Sequence, residues 1–132
     1  MGKIPIIHIY LGGYMANYEH LKERTKKFAL AVIRATQTLS KNWINEVLGR
    51  QLVRAATSVG ANYRSACRAR SKADFISKIG IVEEESDEVQ YWLELLQVLG
   101  ALSDEKVVPL HQEAGELTAI FTASRRTAKQ NR

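Results

Sequence analysis

Apolar positions from about residue 17 onward recur at three- and four-residue intervals, the period of a helix with one buried face. Leu21, Phe28, Val32, Ala35 and Leu39 form one such line and predict a first helix over about 17–39. The polar "SKN" at 40–42 interrupts it, and Asn42 suits the N-cap of a second helix over about 43–69. There Leu48, Leu52, Ala55, Ala56, Val59, Tyr63 and Ala66 fall in one arc, at about 100° per residue. Arg50, Arg54, Arg64 and Arg68 gather on the opposite side. Gly60 sits inside this helix, where glycine costs about 1 kcal/mol relative to alanine. With Ser58 and Ala61 beside it, it predicts close approach to a neighbouring backbone.

The next break is "SKAD". Ser71 with Asp74 three residues on is a variant capping box, and it opens a third helix over about 72–99. Phe75, Ile79, Val82, Ser86, Val89, Leu93 and Leu96 alternate four and three, the spacing of a bundle seam. Gly100 suits a C-cap and Ser103 the following N-cap. A fourth helix is predicted over about 104–128, with Leu110, Ala114, Leu117, Phe121 and Ser124 on its seam. Pro109 is assigned to the first turn of its main part, after a short turn. No alternating run between turn residues marks a strand. Four amphipathic helices on short connections predict an all-α, antiparallel up-down-up-down four-helix bundle over 15–132.

Residues 1–14 break the pattern. "IPIIHIYLGGYMA" follows a single Lys3; its apolar part is short and no A-x-A site follows, so it makes a poor secretion signal. It reads as a loosely attached arm, or as an extension ahead of a start at Met15. No segment approaches the roughly 20 apolar residues of a membrane span. Cys67 is the one cysteine, so no internal disulfide forms and a reducing cytosol is the expected location.

Charge changes the picture more than composition does. The 132 residues are 45% hydrophobic and 25% charged, ordinary for a globular chain, but the net charge is +5 with a pI near 9.5. A basic balance favours a polyanionic partner. Up-down topology gathers the start of helix one, the turn between helices two and three, and the end of helix four at one end. That end receives thirteen of the nineteen basic residues, whereas Glu83, Glu84, Glu85, Asp87, Glu88, Glu113 and Glu116 fall in the middle or at the far end. Two basic groups follow. Arg64, Arg68, Arg70, Lys72 and Lys78 have few acids in reach and are candidate nucleic-acid contacts, the plain alternative being a solvated face. Arg50 and Arg54 lie level with acids of helix three and are candidates for ion pairs with Glu84 and Glu88, within the bundle or across a subunit boundary.

Enzymatic chemistry finds no footing. A di-iron bundle needs Glu-x-x-His on two helices, and that motif is absent. His8, His20 and His111 have no chelating spacing, and no phosphate-binding or dinucleotide fingerprint occurs. No catalytic, cofactor or metal residue is expected. The acid run from Glu83 to Glu88 reads as a solvated or ion-paired helix face rather than a magnesium site. Cys67 reads as a packing residue. Tyr63, Tyr91 and Trp92 read as core or interface rather than base-stacking platforms. Trp43 and Ile44 read as a cap over the bundle end or an oligomer contact.

The run "QLVRAATSVGANYRSACRARSKADFISKIGIVEEESDEVQYWLELL" resembles the four-helix-bundle proteins related to the bacterial 23S rRNA intervening-sequence protein. Gln51, Leu52 and Arg54, the stretch Ser58 to Tyr63, Arg68, Arg70 and Ser71, Phe75, Lys78, the acids from Glu83, and Trp92 with Leu93 carry the likeness. "RTKKFAL" and "ELTAIFTASRRTAK" extend it to about 15–129. The resemblance implies a bundle that assembles as a ring, commonly a homopentamer. It includes the accessory protein of diversity-generating retroelements, a basic ring that binds nucleic acid and a reverse transcriptase. It supplies no catalytic residues.

Overall fold

A computed structural model describes residues 18–131. The arm expected over 1–14 lies outside the described residues. Four helices run in chain order: α1 Tyr18–Thr36, α2 Trp43–Ala66, α3 Lys72–Val98 and α4 Asp104–Gln130. They form an all-α four-helix bundle in which α2 packs on α1 and α3, and α3 packs on α4.

The caps explain where the helices begin and end. Asn42 accepts a hydrogen bond from the Asn45 backbone N–H at 2.8 Å, which satisfies one orphan donor of α2. The Ser71 hydroxyl accepts from the Asp74 N–H at 3.1 Å. The Asp74 carboxylate reaches past the cap to accept from the Arg70 N–H, also at 3.1 Å. A Glu in this box would return to the cap's own N–H. At the far end of α3, Gly100 has a φ of +72°. Its N–H donates to the Gln97 carbonyl and that of Ala101 to the Leu96 carbonyl, both at 2.9 Å, the paired bonds of a Schellman ending.

Three boundaries differ from the sequence expectation. α1 ends at Thr36, and Leu39 lies in a tighter turn held by bonds from Thr38 to Ala35 and from Leu39 to Thr36. α2 ends at Ala66, so Cys67, Arg68 and Ala69 belong to a tightened last turn rather than to the helix. α4 is continuous from Asp104, which puts Pro109 inside it and removes the expected short turn. A proline here withdraws the N–H that would reach the Glu105 carbonyl, but Glu105 is exposed and water can serve that oxygen.

The seams meet in one core. Leu52, Val59, Tyr63, Phe75, Ile79, Val82, Leu93, Leu96, Leu117 and Phe121 are fully buried. Tyr63 and Phe121 cross from α2 to α4 with ring centroids 5.2 Å apart. Ser86 replaces an apolar residue on the α3 seam at no loss of bonding. Its hydroxyl donates to the Glu83 carbonyl at 3.0 Å and lies 3.0 Å from the Thr118 hydroxyl of α4. Thr25 of α1 faces Gly60 of α2: a Cβ added at Gly60 would lie 3.4 Å from the Thr25 hydroxyl oxygen. The helices approach closely there, with room for one methyl.

Two stability outcomes follow. Leu93→Ala should cost about 2–5 kcal/mol in denaturant unfolding, because it empties a fully buried site on the α3 seam. The two glycines should respond in opposite directions. Gly100→Ala should destabilise by about 1–2 kcal/mol, since it forces a Cβ into left-handed backbone. Gly60→Ala should be neutral or stabilise by up to about 1 kcal/mol, since the methyl fits and helix propensity rises. A loss of stability in Gly60→Ala would mean that Thr25 has no room to give.

Candidate nucleic-acid interface

The α2–α3 turn is five residues long and reverses the chain, so the last cations of α2 and the first of α3 are forced into one corner. Arg64, Arg68 and Arg70 are exposed there and Lys72 half-buried, and none has an ion-pair partner among the described residues. Packing explains why they point outward. Tyr63, Ala66, Cys67 and Ala69 alternate with them and are buried, which leaves the arginines the solvent side.

Lys78 stands apart from this group. Its ammonium lies 3.0 Å from Asp74, one helical turn back. The bond to Lys78, together with the Arg70 backbone N–H, holds the Asp74 carboxyl below its ordinary value. The i, i+4 spacing of Asp74 and Lys78 was the sequence signal for this pair. Among the described residues the corner's cations without an ion pair are Arg64, Arg68, Arg70 and Lys72, with Asp74 beside Arg70 and Lys78 paired at the edge.

Other cations expected at this end are compensated too. Lys22 pairs with Glu19 at 3.4 Å. Arg125 of α4 lies 2.9 Å from Glu83 of α3, at an angle that makes a charge contact rather than a hydrogen bond. Arg24 forks onto Glu113 at 2.7 and 2.6 Å and reaches Glu116 at 3.4 Å. Its pKa is raised chiefly by the bond to Glu113. That contact corrects the charge map, which assigned Arg24 to the basic end and both glutamates away from it. α1 has 19 residues and α4 has 27, so with the end of α1 level with the start of α4 Arg24 comes opposite Glu116, well short of the end of α4. Lys26, Lys27, Arg126 and Lys129 stay exposed and without an ion pair among the described residues.

The second basic group behaves differently. Arg54 bridges α2 to α3, 3.4 Å from Glu85 and hydrogen-bonded to Glu88. Glu88 also accepts from the Trp92 indole N–H at 2.9 Å. The charges of Glu85 and then Glu88 raise the Arg54 pKa, whereas burial raises that of Glu85 despite its partner. Arg50 turns to Glu46 on its own helix at 2.9 Å rather than to α3. Glu84, exposed, has no ion pair among the described residues. Helical phase separates the two glutamates: Glu85 is turned about 100° from Glu84, toward α2.

Cys67 is buried with a free thiol, and burial pushes its pKa up. One helical turn back the Tyr63 hydroxyl is buried against the Cys67 thiol, and burial, with that contact, raises its pKa as well. Neither group can meet a ligand from solvent. Trp43 is 73% exposed, so it does not cap the core. Tyr91 is exposed and stacks edge-on against Trp92 with centroids 5.1 Å apart. Among the described residues no three His, Cys, Asp or Glu side chains are placed to share a metal ion. No helix among them is long and apolar enough to cross a membrane.

No curated protein matches the chain. A crystal structure of a protein of unknown function from the S23 ribosomal protein family of Bacteroides thetaiotaomicron superposes with a TM-score of 0.77 at 29% identity, over 83% of this chain and 98% of that one. The model of the 23S rRNA-intervening sequence protein family matches residues 20–123, from the first turn of α1 to the last third of α4 and through the whole basic corner. The chain therefore belongs to the 23S rRNA-intervening sequence protein family.

Proposed function

We propose that the protein is a non-enzymatic, self-assembling bundle that associates with nucleic acid through the basic corner between α2 and α3. The observation that carries this is the contrast between two sets of arginines. Arg54 and Arg24 are spent on glutamates within the subunit, and Arg50 on Glu46. Arg64, Arg68 and Arg70 sit at a turn, exposed and without an ion pair among the described residues. A phosphate backbone supplies the missing negative charge, and contacts to it carry no base preference of their own.

Assembly multiplies the effect. Each corner offers few contacts, but copies held together bind as one polyvalent surface, with affinity well above that of a single corner. A closed ring, of the five chains the family resemblance implies, would present its corners on one rim. A protein scaffold without nucleic acid is the competing function. The exposed apolar side chains Trp43, Tyr91 and Val98 favour it, because they suit protein contact rather than phosphate.

Salt decides between the two. Binding of structured RNA, single strands and duplex DNA should weaken steeply as salt rises, with a logarithmic slope of about −0.9 per phosphate neutralised on a duplex. Arg64→Glu with Arg68→Glu and Arg70→Glu should abolish binding and leave helicity and oligomer mass unchanged. Arg50→Glu with Arg54→Glu should loosen the bundle or the oligomer instead. Wild-type protein that binds none of the three at low salt would leave the scaffold function in place.

A further inference from the structure

Helix α1 is held differently from the other three. It rests on α2 and touches α4 little, whereas α3 packs closely on both α2 and α4. A groove of about 340 Å³ stands open between α1 and α4, over Phe28, Ala31 and Leu110. Where α1 comes close to α2, Thr25 faces Gly60. Gly60 offers no side chain to pack, and the Thr25 hydroxyl turns back to the Leu21 carbonyl of its own helix at 2.8 Å. The approach there is close but poor in apolar area, and buried apolar area is what holds helices together.

The other three helices are tied to one another without α1. Arg54 of α2 meets Glu85 and Glu88 of α3. α3 and α4 are joined along their length, by Glu83 with Arg125, Ser86 with Thr118, and Glu94 with His111. Tyr63 of α2 and Phe121 of α4 close the triangle. Among the described residues one α1 side chain forms an ion pair with another helix, that of Arg24, and both its acceptors lie on α4. Its two-bonded fork onto Glu113 is the strong kind, with the Arg24 side chain 25% exposed and that of Glu113 28%.

The connection to α2 supplies a pivot. The Asn45 side chain donates to the Ser40 carbonyl at 2.9 Å, and Leu39 lies over Gly49, so the chain is anchored to α2 from residue 39 onward. Gln37 and Thr38, both exposed, stand between that anchor and the end of α1.

We propose that α1 is a strap that opens as one unit from a platform of α2, α3 and α4, with Arg24 as its latch and residues 37–38 as its pivot. A segment with a light apolar contact and one ion pair to its neighbours opens at lower free energy than the core beside it. Opening uncovers the strip of α2 around Gly60. It leaves the corner between α2 and α3 in place, because the Ser71 cap and the tie from Asp74 to Arg70 lie wholly within the platform.

Hydrogen exchange of the full chain, read by mass spectrometry without nucleic acid, separates strap from platform. Wild-type amides of segment 26–34 should open at least about tenfold more often than those of segment 79–93. Arg24→Gln should speed opening of the first segment by about three- to tenfold and leave the second unchanged, since a partly screened pair is lost and no tie within the platform is touched. Arg24→Lys keeps the charge without the fork and should fall between the two. Should Arg24→Gln fail to fold, Glu113→Gln takes its place. Both segments opening at one rate in the wild type would make the bundle a single unit and overturn the proposal. So would a latch variant that speeds both segments alike, or neither.

Discussion

The constraint on which the rest depends is the tight reversal between α2 and α3. Ser71 caps α3, Asp74 ties back to Arg70, and five residues turn the chain through a full reversal. That turn sets the height of α3 against α2. It puts Arg54 across from Glu85 and Glu88, and it crowds Arg64, Arg68, Arg70 and Lys72 into one corner. Core packing then finishes the arrangement. Tyr63 and Phe75 are fully buried on either side of the turn, so the cations between them have only the solvent side left. A looser connection would let the same charges spread and pair.

Local features were legible in the sequence. The α3 seam could be read because a heptad alternation is a property of one helix, and all seven of its residues are buried. The caps at Asn42 and Ser71 and the glycine ending at Gly100 could be read because each is settled within a few residues. Pairing along one helix could have been read and was missed. Asp74 with Lys78 and Glu46 with Arg50 both stand four apart. The choice of Glu85 over Glu84 as the partner of Arg54 depends on helical phase, which the seam already fixed.

Placement between elements was the harder part. The pairing of Arg24 with Glu113 depends on which end of the longer α4 the shorter α1 is level with, and loop order alone carries no such information. Trp43 shows the same limit from another side. Its apolar bulk suggested a lid on the core, but the first residue of α2 sits on the face turned away from Leu52 and Val59. Hydrophobicity says that a side chain seeks cover; only geometry says whether its own chain can supply it.

The single thiol gives the corner a built-in clock. Cys67 is 6% exposed, lies between Arg64 and Arg70 in the chain, and has its ionisation suppressed by burial. A reagent that attacks thiolates must wait until the turn swings open. Because the sequence contains no other cysteine, every modified molecule records one such opening at one place. The pace of that reaction measures how long the arginines stay locked in their arrangement, and it does so in the unaltered chain.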